Sequence, residues 1–332
     1  MSTQNAIPSI KQLSSDDEVK VRPLSPMMLA VRRFRKHRMA SYGLVILVIL
    51  ILFITFGGLL FSRGYCAPLK QNLTGEAWAN CNDTSLKLQP PSSAHIFGTD
   101  IIGRDIFVRT IYGGQISLLI GVSAALFEVM LGALVGAVAA YYGGWVDGML
   151  MRFTEAMLNI PSLFLLIIGA RFFGGRMPTI NIFGRELAGS VIIIILVIGA
   201  TSWMVLARIV RANILSLRER DYVSAALALG ASGPRIIFLH LLPNTIAPLI
   251  VSATLGVAGA IISEAYVSFL GLGVTGATAT WGNMLDGAYR YLETAPWLWF
   301  FPGTMILLTV LGINFVGDGL RDALDPHSTR HV

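Results

Sequence analysis

Six long apolar stretches, each near the length that crosses a bilayer, constrain this chain more than anything else in its sequence. Hydrocarbon is about 30 Å thick and offers no hydrogen-bond partner, so a helix spans it with about 20 apolar residues that satisfy their own backbone. Residues 39–62 hold no charge between Arg38 and Arg63, and residues 110–146 hold only Glu128, which leaves room for a span near 115–140. The third stretch, near 148–170, opens with Arg152 and Glu155, runs through Asn159-Ile160-Pro161 and has a charge-free core of only 156–170. Residues 187–207, 245–263 and 294–317 are uncharged. Only 13% of the residues are charged and 54% are hydrophobic, where soluble domains average about 25% charged. The predicted class is an all-α polytopic membrane protein of six transmembrane helices.

Lys and Arg gather in loops on the cytoplasmic side of a membrane, which gives the expected orientation. With the N-terminus inside, the inner segments hold 16 of the 25 basic residues: eight before the first span, Arg152, five at 208–235, then Arg321 and Arg330. N- and C-termini are thus expected in the cytoplasm. The net charge of +6 follows from this topology and not from nucleic acid. The run from Arg32 to Arg38 precedes a span, where each basic residue gains about 1 kcal/mol from anionic lipid. Residues 1–38 read as a polar tail and basic juxtamembrane segment, 39–62 as the first span, 63–112 as an outer loop, 113–320 as the core with an inner loop at 208–244, and 321–332 as a tail. The first 25 residues lack the pattern of a secretory signal.

That inner loop has an unusual make-up. Arg208, Arg211, Arg218 and Arg220 lead into Asp221-Tyr222-Val223-Ser224-Ala225-Ala226, then Gly230, Arg235 and Leu241-Leu242-Pro243-Asn244. Asp221 can N-cap a short helix, Ala225 and Ala226 let another surface approach the backbone, and Gly230 can take the left-handed turn that ends it. Ser232 and Pro234 can start a second helix. An amphipathic hairpin lying on the membrane with no partner is the plainer alternative.

The loop resembles the EAA loop of ABC importer permeases, the coupling helix that seats in a groove of an ATPase subunit. The likeness extends over about 28–327. It includes His95-Ile-Phe-Gly98-Thr99-Asp100-Ile-Ile-Gly103-Arg104-Asp105, Gly143-Gly-Trp-Val-Asp147 with Met151-Arg152, Ser268-Phe-Leu-Gly271-Leu-Gly273, Trp281-Gly-Asn-Met-Leu, and Gly317-Asp318-Gly319-Leu-Arg321-Asp322-Ala-Leu-Asp325-Pro326. The chain is most similar to the second of the two permease subunits serving oligopeptides, dipeptides, nickel or glutathione. The resemblance implies the ABC type I importer permease fold and a bacterial inner-membrane location. It also implies coupling through Asp221, Tyr222, Ser224, Ala225, Ala226, Gly230, Leu242 and Pro243. Implied partners are a second permease, two ATP-binding subunits and an extracytoplasmic substrate-binding protein. Two departures stand out. Ser224 replaces the glutamate of the motif's name, and Val274-Thr-Gly-Ala-Thr-Ala-Thr280 lacks the prolines usual before Trp-Gly, which lowers the expected rigidity there.

No G-x-x-x-x-G-K-[ST] loop is present, so ATP and Mg²⁺ are expected in partner subunits and no cofactor or catalytic residue in this chain. No His/Cys/Asp cluster has metal-ligand spacing. Polar groups in spans are costly and usually face protein or water. Arg152, Glu155 and Asn159 share a helical face, and Glu155 can pair with Arg152 or with Arg208; Pro161 can kink that span. Glu155, Asn159 and Glu264 are the path or gate candidates, Glu264 near an outer gate where it can meet a substrate amine. Glu128, mid-span, is expected to be paired or protonated. Gly132 and Gly136 have the spacing of a close helix contact, within the chain or across a permease dimer. Cys66 and Cys81, in the outer loop, can form a bridge worth about 3 kcal/mol or stay as free thiols. Translocation of short peptides is the leading function, with nickel complexes or glutathione as the alternative cargo. An ion-gradient transporter using Glu128 and Glu155 is a different class, but no inverted repeat is apparent. Co-purification of ATPase subunits separates these classes.

Overall fold

The structure is a computed structural model that describes residues 26–61, 63–173, 178–182, 185–274 and 278–325. The polar tail read over 1–25 lies outside the described residues. In chain order the helices are α1 (Pro26–Lys36), α2 (Arg38–Phe61), α3 (Gly75–Ala79), α4 (Ile106–Tyr142), α5 (Gly144–Leu158), α6 (Ser162–Phe173), α7 (Gly189–Arg218), α8 (Asp221–Ala228), α9 (Gly233–Ile236), α10 (Ile246–Phe269), α11 (Trp281–Met284) and α12 (Trp297–Leu324). Two antiparallel hairpins decorate loops: β1 (Arg63–Cys66) with β2 (Gln71–Thr74), and β3 (Ile180–Ile182) with β4 (Arg185–Leu187). With the isolated bridge between Thr99 and Asp105, they are departures from an all-helical chain among the described residues.

Among the described residues, five helical segments are long and apolar enough to cross a membrane: α2, α4, α7, the continuous run Gly233–Phe269, and α12. The third stretch differs from a single kinked span. It is broken into α5 and α6, which meet at a bend of 86°. Pro161 has no N–H and its ring collides with the carbonyl four residues back, while residue 160 is pushed out of the helical region. Asn159 caps the broken end by donating from Nδ2 to the Glu155 carbonyl at 2.8 Å. Counting the pair once gives six spans.

α4 is the central post, 37 residues and so about 55 Å long. It runs parallel to α7: Ile116 and Ile120 pack with Val191 and Ile194 at one end, and Ala137 and Ala140 with Val210 and Ile214 at the other. It runs antiparallel to α10, which in turn packs against α12. Glycines set the closest approaches. A Cβ at Gly136 would collide with the Ala207 carbonyl and one at Gly132 with Leu206, so this pair of glycines joins α4 to α7 inside the chain. α2 lies on α12 in the same way, with Gly43 against Gly312 and Phe315. Val45, Ile49, Leu52, Phe56 and Leu60 remain exposed along α2. Apolar faces of this kind suit lipid or another subunit, since hydrocarbon solvates Leu as well as a core does.

The bundle therefore has two ends. One carries the β1–β2 hairpin, α3, α11 and the start of α12. The other, rich in arginine, gathers α1, the ends of α4, α7 and α12, and the α8–α9 segment.

Candidate functional site

At the arginine-rich end, the residues after Arg218 fold as two short helices with a bend. Arg220 occupies the N-cap position and Asp221 is the first helical residue, so Asp221 does not cap α8 as its type led us to expect. Its carboxylate still lies in the first turn, where it favours the helix dipole. The helix ends at Gly230, whose φ is +81°. Gly230 N–H donates to the Leu227 carbonyl at 2.9 Å and Ala231 N–H to the Ala226 carbonyl at 3.0 Å, the paired bonds of a Schellman turn. Ser232 then precedes α9, with Pro234 in its first turn.

Only one α8 side chain is buried. Val223, 0% exposed, plugs a socket made by Ala137 and Ala140 of α4, Val210 and Ile214 of α7, and Ile236, Ile237 and Leu241 beyond α9. Tyr222, Ser224, Ala225, Leu227 and Leu229 face outward, Leu229 at 88% exposure, and Ala226 is half-buried. Past α9 the helix widens to a π turn over Ile237–Leu241 and tightens to 3₁₀ over Leu242–Thr245. Pro243 accounts for this, because it removes an N–H from the ladder and a helix reseats its bonds around such a gap. Leu242 leans on the Val223 socket while Pro243 stays exposed.

Two contacts brace the socket. Arg211 on α7 grips Asp147 on α5 with both fork nitrogens, Nε to Oδ1 and Nη2 to Oδ2 at 2.5 Å each. Arg218 donates from Nη1 to the Ala140 carbonyl at 3.2 Å. Asp147 reaches Arg211 because the chain reverses at Gly143 and Gly144, both at positive φ. The brace is therefore Asp147 with Arg211, not Glu155 with Arg152 or Arg208. Glu155, Arg152 and Arg208 are exposed and, among the described residues, form no ion pair with one another. The turn-forming Gly143-Gly144 followed by an acid was the available signal for Asp147. Val223 gave none, because one apolar residue in an eight-residue helix sets no period.

The opposite end is built around Glu264, which is 1% exposed. It accepts hydrogen bonds from Ser268 Oγ at 2.6 Å, Thr280 Oγ1 at 2.7 Å and Ser117 Oγ at 3.5 Å. Those hydroxyls accept in turn from the backbone N–H of Val274 at 3.3 Å, Asn283 at 3.0 Å and Trp281 at 3.1 Å. Glu264 thus ties α4, α10 and the 274–283 segment together, and in this structure it has no room to meet a substrate amine. Asn283 adds the rigidity that missing prolines would have supplied, donating to the carbonyls of Val274 and Thr278 at 3.2 and 2.9 Å; residues 275–277 lie outside the described set. The His95–Asp105 motif is a loop clasp: Asp105 caps α4 through Val108 N–H at 3.0 Å and pairs with His95 Nδ1 at 2.8 Å. Cys66 and Cys81 are joined by a disulfide that fastens the β1–β2 hairpin to the segment after α3. Glu128 is half-buried on α4, facing Gly256 of α10, and Asn159 lies exposed at the α5–α6 break.

The family described as binding-protein-dependent transport system inner membrane component matches residues 129–330, and the N-terminal TM domain of oligopeptide transport permease C matches residues 25–91. The dipeptide transport system permease protein DppC of Alkalihalophilus pseudofirmus is 39% identical over 98% of this chain and 99% of its own length. The oligopeptide transport system permease proteins OppC of Bacillus subtilis and of Haemophilus influenzae are each 37% identical, covering 96% and 93% of this chain and 95% and 91% of theirs. A methionine ABC transporter structure, MetNI facing inward, is similar with a TM-score of 0.46 and 20% identity over 64% of this chain and 94% of that one. With two family matches that together span both the first apolar helix and the α7–α12 core, the chain belongs to the binding-protein-dependent inner-membrane permeases, as a non-catalytic, multi-pass subunit of the peptide-transport branch.

Proposed function

We propose that this subunit translocates short peptides through the inner membrane as half of a permease pair, driven by two ATP-binding subunits that grip the 221–243 segment. The observation that carries the reading is α8 itself: a helix held by Val223 alone, with Tyr222, Ser224, Ala225, Leu227 and Leu229 turned outward beside a cluster of arginines. A surface of small and apolar residues with basic neighbours is suited to a protein groove, and the arginine excess argues for the cytoplasm at this end. Both termini then lie in the cytoplasm, and the disulfide end faces the compartment where a substrate-binding protein delivers cargo and where bridged cysteines persist. ATP and Mg²⁺ belong to the partner subunits. Closure of the ATPase pair displaces α8, the Val223 socket carries the motion to α4 and α7, and the Asp147–Arg211 brace passes it to the broken α5–α6 span. Glu155 and Asn159, exposed at that break, are the path candidates this geometry favours. Nickel complexes or glutathione are the second cargo reading, since relatives named for dipeptides and oligopeptides favour peptides first.

Gly230→Val tests the coupling half. The position is open, with no atom within 4 Å of where a Cβ would sit, so the cost is the positive φ, about 1–2 kcal/mol, at the end of α8 alone. ATP-driven uptake should be lost while membrane insertion is retained; normal uptake removes the reading. Orientation is checked by a membrane-impermeant thiol reagent on Leu229→Cys, which should stay unlabelled in intact cells.

A further inference from the structure

Arg109, near the start of α4, is 4% exposed, and its side chain makes one hydrogen bond, from Nη1 to Asn80 Oδ1 at 3.2 Å. A guanidinium has five N–H donors in a fixed fork, so most of this fork has no protein acceptor. Among the described residues, Thr110 Oγ1 is the side-chain polar atom wholly shut off without a partner, so the free donors of Arg109 are not sealed in, and Arg109 lines a cavity. That cavity, about 50 Å³ at the disulfide end, is walled by Asp100, Arg104, Asn283, Asp286 and Ile101 as well. A carboxylate group is about the size that it admits.

The charges around it single out Arg109. Arg104 Nε is paired with Asp100 Oδ2 at 2.6 Å, and Asp100 also accepts from the N–H groups of Ile102 and Arg104, so that pair is neutral and closed. Asp286, at the exposed rim, lies within the field of Arg290, which donates to Tyr289 Oη at 3.2 Å. Asp100 and Glu76 also act on Arg109 through space, yet neither accepts a hydrogen bond from it. What remains is one buried, underused positive fork. Of the apolar residues that wall the cavity, Ile101 stands exposed. A buried arginine in a socket with an exposed apolar wall is a combination that protein interfaces favour.

We propose that this cavity is a socket for an acidic side chain of the substrate-binding protein, whose carboxylate pairs with the free edge of Arg109 when that protein docks. The inference rests on the function proposed above, which places the disulfide end toward that protein. Arg forks match carboxylates with two parallel hydrogen bonds, and burial keeps such a pair from being screened by salt.

The test uses the complete transporter in nanodiscs and its own binding protein as the probe, with affinity measured by biolayer interferometry. Arg109→Gln should weaken binding at least about tenfold, and Arg109→Lys by less, because charge is kept and the fork lost. Asp286→Lys, a change at the exposed rim, should tighten binding about two- to fivefold by adding attraction for an acid at the mouth. Should Arg109→Gln fail to assemble, Asp286→Lys decides alone. Unchanged affinity in an assembled Arg109→Gln transporter, or weaker binding with Asp286→Lys, overturns the proposal. So does loss of retained phospholipid from Arg109→Gln in native mass spectrometry with affinity intact, which would make a headgroup phosphate the occupant. A wild-type transporter that binds no such protein removes the proposed function and this socket with it; wild-type binding that ignores Arg109 removes the socket only.

Discussion

At the disulfide end, Glu264 accepts three hydroxyl hydrogen bonds in a fully buried hub, and each hydroxyl passes the connection on to a backbone N–H. At the arginine-rich end, α8 is retained by one buried side chain, Val223, and the rest of that helix faces outward. The hub fixes the relation of α4, α10 and α11; the socket lets a partner hold α8 by most of its surface. Mutations at the first end should therefore act on folding and assembly, and mutations at the second on the transfer of motion. A buried polar network is costly to break because each orphaned group keeps its desolvation penalty. A single methyl-lined socket is cheaper to loosen.

The largest effect is expected at Glu264. Glu264→Ala leaves three buried hydroxyls without their shared acceptor and opens a void, at a cost of about 3 kcal/mol or more. Thermal unfolding of the purified transporter should show a large fall in midpoint, or the subunit should not accumulate. Glu264→Gln should do less harm, since the amide oxygen still accepts. A Glu264→Ala protein as stable as wild type would erase the contrast between the two ends.

Next comes Val223. Val223→Ala empties part of the socket and costs about 1–2 kcal/mol, all of it local to the α8 attachment. ATPase subunits should still co-purify, because the outward face of α8 is untouched, while uptake per ATP hydrolysed should fall about tenfold. If the ATPases are lost instead, Val223 belongs to the interface and the division into anchor and docking face fails.

Asp147 and Arg211 come third. The pair is partly exposed, so its contribution to stability is small, about 1 kcal/mol or less. Its geometric role is larger, because it is the polar link between the broken span and α7. Asp147→Arg should reduce uptake about fivefold, and Asp147→Arg combined with Arg211→Asp should restore most of it. Failure of the reversed pair to rescue would leave the packing of α5 and α7 as the link.

Much of this contrast was legible in the chain. The six spans follow from charge-free length, and the turn at Gly230 from a glycine after a short alanine-rich helix. The break at Pro161 was half visible: proline announces an interruption, but whether a helix kinks or splits by 86° depends on what packs beyond it. Gly132 and Gly136 announced a close contact without naming the partner, and only the register of α4 on α7 assigns it to this chain. The burial of Glu264 was not legible, for a different reason. A carboxylate near the end of an apolar run reads as a gate residue, and its burial depends on Thr280 and Ser117, 16 and 147 residues away in sequence. Arg109 escaped notice because it lies in the first turns of a long helix, where an arginine normally reaches water.

Glu155 should give the smallest effect, and that smallness is informative. Its side chain is exposed and forms no ion pair with Arg152 or Arg208 among the described residues, so Glu155→Gln should change the thermal midpoint by an amount corresponding to less than about 0.5 kcal/mol. Any loss of uptake would then come from the path and not from the fold. A selective fall for peptides with a free amino terminus, with blocked peptides carried normally, would mark the α5–α6 break as a place where cargo passes. Equal uptake of both would leave Asn159 as the remaining candidate there and would assign the bracing of the arginine-rich end wholly to Asp147 and Arg211.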